Sequence, residues 1–74
     1  MRSNTLLVQI GEMLALGDCA RRASVPDNAL RAHVLAAIER YCGGEVNETD
    51  VEVVIAAYER ERVKMDAMKA RAGG

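Results

Sequence analysis

The side chains with the widest chemical repertoire in this sequence are Cys19, His33 and Cys42. A thiolate can attack a carbonyl or bind a soft metal, and an imidazole can act as base or ligand. His33 is the single histidine of the chain, so any Cys–His couple must pair it with Cys19 or Cys42. Neither spacing comes with the asparagine or aspartate that orients such a couple, and the three residues match no zinc-ligand pattern. Glu45, Glu48, Asp50 and Glu52 form an acidic run, but they lack the alternating ligands and central glycine of a calcium loop. Gly43-Gly44 follows a helical pattern rather than a strand, so it is no phosphate-binding turn. The expectation is a chain without catalytic residues, metal or cofactor, and not an enzyme.

Cysteine usage and targeting signals place the chain in the cytoplasm. With residues 26–42 helical, Cys19 and Cys42 stand roughly 24 Å apart at 1.5 Å per residue, beyond disulfide reach, and both read as reduced, semi-buried thiols. The apolar stretch after Met1-Arg2 is interrupted by Gln9 and Glu12 and is too short to span a bilayer. Asp18 before Cys19 does not suit a lipoprotein cleavage site. Arg21-Arg22-Ala23-Ser24-Val25 has the form of a basophilic kinase site and Asn47-Glu48-Thr49 that of a glycosylation sequon. Both are explained more simply as turns and helix caps.

The elements that must carry these residues follow from punctuation and palette. Half of the 74 residues are apolar, with no Phe or Trp and two Tyr, so the core is built from Leu, Ile, Val, Met and Ala. That palette suits close helix packing better than a sheet. Ser3-Asn4-Thr5 offers caps ahead of an apolar run, Ser24-Val25-Pro26-Asp27 has capping-box spacing with a proline, and Cys42-Gly43-Gly44 is a stop before the box Thr49-Asp50-Val51-Glu52. The spacing predicts an all-α three-helix domain over residues 1–74, with helices at about 5–22, 25–42 and 49–71, a frayed tail at 70–74, and Gly17-Asp18 as the place where the first helix could break. Ten basic and eleven acidic residues give a net charge of −1, unlike a chain held on phosphates. Acids gather before the third helix and bases (Arg60, Arg62, Lys64, Lys69, Arg71) toward its end, which offsets the helix dipole.

The helix faces point toward a partner. The first helix is apolar almost all round from Leu6 to Leu16, and Gly11 and Ala15 would admit another backbone closely. On the second, Leu30, Val34, Ala37, Ile38 and Tyr41 share a face widened by Leu35 and Cys42, with His33 at its flank and Arg31, Glu39 and Arg40 on the wetter side. On the third, Val51, Val54, Tyr58, Glu61, Met65, Met68 and Ala72 step by three and four, and its second half outruns the other helices. A chain this short buries only about 60% of its unfolded surface and commonly leans on another chain. The leading expectation is therefore a non-catalytic helical protein–protein interaction module, a regulator, adaptor or inhibitor of the accessory type found in phages and plasmids. It would act as a homodimer toward another protein. Its interface would be Leu6, Leu7, Ile10, Leu14, Tyr58, Met65 and Met68.

A second expectation is a helix-turn-helix DNA-binding transcriptional regulator that uses residues 16–35. Leu16-Gly-Asp-Cys-Ala-Arg-Arg-Ala-Ser-Val-Pro-Asp-Asn-Ala-Leu-Arg31 resembles the helix-turn-helix of the MerR and LacI families, with Ala20, Ala23, Val25 and Leu30 at its small and buried positions. The resemblance implies a break at Gly17-Asp18, a supporting helix over 18–23, a recognition helix over 26–42, and DNA contacts from Arg21, Arg22, Asn28 and Arg31. Ser24 stands where glycine is favoured in the turn, and His33 where an apolar contact is usual. Nucleic acid is thus the alternative partner, and a membrane is not expected.

Overall fold

The computed structural model describes residues 4–20 and 25–73. They form three helices, α1 (Asn4–Ala20), α2 (Asp27–Cys42) and α3 (Glu48–Gly73), with no strand among the described residues. This is the expected all-α architecture, and every described helix end lies within two residues of its predicted position. No described helix is long and apolar enough to cross a membrane.

The ends show which capping signals act. Ser24 lies outside the described residues, and the N-cap of α2 is Pro26, whose extended backbone (φ −66°, ψ 155°) leads into the helix without a side-chain cap. The Pro26 carbonyl accepts from Leu30 N–H at 2.9 Å, so the proline stands just outside the first turn rather than within it. The stop at Cys42 is as read: Gly43 takes φ 70°, open to glycine and costly for other residues, and its N–H bonds the Glu39 carbonyl at 3.0 Å. α3 starts one residue ahead of the box at Thr49, because the Asn47 carbonyl already accepts from Val51 N–H at 3.2 Å. Glu48 and Asp50 occupy its first turn and Arg71 its last, the polarity that the helix dipole favours. The helix continues through residues 70–73, placed in a frayed tail by the sequence, since Ala and Arg are strong helix formers. α1 runs unbroken through Gly17 and Asp18, and Asp18 is buried there against α3.

The core joins all three helices: Leu7, Ile10 and Ala15 from α1, Leu30, Val34, Ala37 and Ile38 from α2, and Val51, Val54 and Tyr58 from α3. Leu30, Val34, Ala37 and Ile38 of the α2 stripe and Val51, Val54 and Tyr58 of the α3 stripe are among these residues; Met65 packs against them, Glu61 is half-buried, the Ala72 side chain lies outside the described ones, and two residues depart from the reading. Tyr41 is 52% exposed, because α2 touches α1 sparsely and leaves that side open. Met68 is exposed because α3 has by then run clear of its neighbours; residues 66–71 are exposed throughout.

Most interhelical contact lies between α1 and α3, and Gly11 is the reason. A Cβ at residue 11 would sit 2.5 Å from the Val54 carbonyl oxygen, 2.8 Å from Ala57 Cβ and 3.0 Å from Tyr58 N. Two of those atoms are backbone and cannot swing aside. The close approach foreseen for Gly11 and Ala15 is thus realised inside the chain, with Ala15 and Ala57 both fully packed. Gly11→Ala gains up to about 1 kcal/mol of helix propensity. It also forces a helix displacement of the overpacking kind, which costs about 1–3 kcal/mol. The expected result is a net loss, read as a melting temperature lowered by several degrees for a domain of this size. A raised melting temperature in circular dichroism would show that α1 and α3 are not in backbone contact at residue 11.

Candidate functional site

Polar groups inside the fold converge at one place. Asp18 of α1 is buried, and Tyr58 of α3, also buried, donates its hydroxyl hydrogen to Asp18 Oδ2 across 40 residues of sequence. Arg62, one turn further along α3, donates from Nη1 to the Tyr58 hydroxyl oxygen at 3.0 Å, and its guanidinium carbon lies 5.7 Å from the ring centroid. The phenol is therefore donor and acceptor at once, with a cation against its face. Burial first, and then the hydrogen bond to Asp18, push the Tyr58 pKa upward from 10.0. A phenol held neutral beside a carboxylate is a poor nucleophile and a poor base at neutral pH. What the arrangement does well is fasten α1 to α3.

The other candidates for chemistry stay apart. Cys19 and Cys42 are free thiols, partly buried on different helices, and His33 is exposed on α2. Among the described residues, no three His, Cys, Asp or Glu side chains are grouped so as to hold a metal.

The residues expected at an interface divide sharply. Leu7, Ile10 and Tyr58 lie in the chain's own core, and Leu14 and Met65 pack against it. Leu6 and Met68 are exposed. Of the residues expected on DNA, Arg21 and Arg22 lie outside the described residues. Asn28 is exposed, with its Oδ1 accepting from Ala29 N–H at 3.0 Å. Arg31 forms an exposed ion pair with Glu48 that ties α2 to the start of α3, with Glu52 adding to the acidic surroundings.

Two apolar surfaces are present that the sequence reading did not isolate. One is a groove of about 610 Å³ along α1 and α3, walled by Val8, Val53, Ala56 and Val63 with Asn4, Glu59 and Arg60 at its edges. Val63 is 69% exposed. The other is the outer side of α1, where Met13 and Leu16 stand out in water beside a groove of about 200 Å³ that Met13 and Leu14 share with Ala36, Ala37 and Tyr41 of α2, with His33 and Arg40 also lining it. The signal for the second was in the sequence: Leu6, Gln9, Met13, Leu16 and Ala20 step by three and four, parallel to the buried stripe.

Compared with models of known protein families, with curated proteins and with solved structures, the chain matches none.

The Tyr58 hydroxyl gives a pH signature with a definite sign. Its folded-state pKa is raised, so its contribution to stability is fully present below pH 10.0 and is lost as the pH climbs through the folded value. In a Tyr41→Phe background, where Tyr58 is the remaining tyrosine, phenolate absorbance should develop with a midpoint above 10.0 in the folded protein and should fall back toward that value on denaturation. The melting temperature should drop across the same interval more steeply than in the Tyr41→Phe/Tyr58→Phe double variant. Equal slopes in the two proteins would remove the Asp18–Tyr58–Arg62 arrangement as a source of stability.

Proposed function

We propose that this protein is a non-catalytic interaction module that works as a homo-oligomer and engages another protein. One observation carries the reading: the large apolar side chains that the core leaves outside fall in stripes along helix faces rather than singly. Leu6, Met13 and Leu16 share one side of α1, and Val63 stands with Ala56 and Val53 on α3. Scattered exposed apolar residues need no explanation, whereas contiguous ones mark contact surfaces. Shape supports the reading. The chain measures 44 × 22 × 16 Å with a radius of gyration of 12.8 Å. A compact domain of this length would have a radius of about 11.3 Å.

The helix-turn-helix alternative has less support. It needs a supporting helix separate from α1, but α1 is continuous across Gly17 and Asp18. Arg31, the cation it would aim at a phosphate or base, is paired with Glu48. Glu39 and Glu52 add negative charge to α2 and α3, which suits a phosphate-lined groove poorly.

Mass action gives the test. An oligomer that stabilises its subunits melts at a temperature that rises with protein concentration. Light scattering should return a mass above 8.0 kDa, and the melting temperature should rise across a hundredfold dilution series. A single species of 8.0 kDa with a concentration-independent transition would overturn the oligomeric reading. For the second protein, Val63→Glu combined with Met68→Glu should abolish binding by native-host partners captured on the wild type, with helicity retained. Tight, salt-sensitive binding to duplex DNA would favour the helix-turn-helix reading instead.

A further inference from the structure

We infer that the outer face of α3 is the seam of a parallel two-stranded coiled coil with a second copy of this chain. The inference rests on the oligomeric reading above and names its surface, its occupant and the orientation of the pair.

Val53, Ala56, Arg60, Val63, Ala67 and Ala70 step by three and four along α3, which is the a/d pattern of a heptad repeat. This stripe is separate from the one that α3 turns to the core, Val51, Val54 and Tyr58. Val53 is half-buried and the other five are exposed. The first four line the groove of about 610 Å³, which Val8 of α1 widens. Past the groove α3 stays helical although residues 66–71 are exposed throughout. A helix end with water on every side gains stability from a second helix laid along it.

The flanking charges select that second helix. With Val53 at a, the g positions are Glu52, Glu59 and Asp66, all exposed acids. The e positions are Ala57, buried where Gly11 approaches, and then Lys64 and Arg71, both exposed. In a parallel pair each g residue meets the e residue five places later on the other strand. Glu59 then faces Lys64 of the second copy and Asp66 faces Arg71 of the second copy, and the symmetry of the pair repeats both contacts. Antiparallel pairing of two copies would set acid against acid and base against base, which like-charge repulsion disfavours. Within α3 these charges are poorly matched. Four residues beyond Glu59 and Asp66 stand Val63 and Ala70, and four residues either side of Lys64 stand Arg60 and Met68. Asp66 does lie near Arg62, one turn back on its own helix. Arg60 is the one charge inside the seam, and its long stem can lie along the groove while its head turns out toward Glu59 of the second copy. The alanines make the contact narrow, so the flanking charges decide which partner is taken.

The experiment measures dimer dissociation by analytical ultracentrifugation or light scattering on the intact chain. Wild type should show twice the 8.0 kDa chain mass at high concentration. Two charge-reversed chains are compared with it, Lys64→Glu with Arg71→Glu and Glu59→Lys with Asp66→Lys, each checked for retained helicity by circular dichroism. Either chain alone carries one sign of charge on both flanks, and its dissociation constant should rise about tenfold or more. Mixed in equal amounts, the two should associate with each other about as tightly as wild type does with itself. That recovery is a gain of binding, which a folding defect cannot imitate. Lys69→Glu, exposed but outside the seam, should leave the wild-type constant unchanged. Val63 and Met68 are untouched in all these chains, so the surface tested above for a second protein is preserved. Reversed chains that each dimerise like wild type, or a mixture that stays dissociated, overturn the α3 seam but leave an oligomer. A wild type that stays at 8.0 kDa overturns both readings.

Discussion

The rest of the structure depends on the contact between the backbone of α1 at Gly11 and the backbone of α3 from Val54 to Tyr58. Helices usually pack with axes 8–10 Å apart, held off by their side chains. Here a hydrogen in place of a Cβ, with Ala15 and Ala57 beside it, lets the two helices close to the limit. That closeness is what allows a core with one buried aromatic ring to fill its volume. Val51, Val54, Val34 and Ile38 are short or branched, and in a wider bundle they would leave voids. α2 then packs on the pair and adds Leu30, Val34, Ala37 and Ile38, with the Arg31–Glu48 ion pair at its margin. Exposed ion pairs of that kind contribute little, so α2 is held chiefly by apolar burial.

Helix number, type and ends were legible because the signals are local. A glycine with positive φ after Cys42, acids ahead of α3 and the absence of large β-formers all act within a few residues of where they are read. The inward stripes of α2 and α3 were legible as well, since polar residues between the apolar ones set their phase. α1 was not, because a helix that is apolar nearly all round carries no phase. Leu6 and Leu7 are neighbours of the same type, yet Leu7 is in the core and Leu6 is not. The same ambiguity placed Ile10 at an interface when it is inside the fold. Gly11 and Ala15 announced a close neighbour but not whether it would be α3 or another copy.

The break that Gly17-Asp18 could have made in the first helix is absent for a different reason. An acid after a glycine looks like a helix breaker, and the segment around it looks like the start of a helix-turn-helix, as long as only nearby residues are weighed. One of its partners, Tyr58, is 40 residues away, and no local pattern encodes that pairing. Once the hydroxyl and Arg62 are supplied, the carboxylate is tolerated inside and the helix runs straight through.

The buried polar group then explains what the apolar pattern could not. Turning α1 about its axis by one residue, about 100°, would exchange one apolar side for another at little hydrophobic cost. It would also remove Asp18 from Tyr58 and bring a larger side chain against the Val54 carbonyl. Losing that hydrogen bond costs about 0.5–3 kcal/mol, and the steric conflict adds to it. Gly11 and Asp18 lie on the same side of α1, seven residues apart, and together they admit a single rotation. That rotation turns Leu6, Gln9, Met13 and Leu16 outward as a set. The polar clasp inside the fold is thus the device that decides which apolar face α1 presents to the outside.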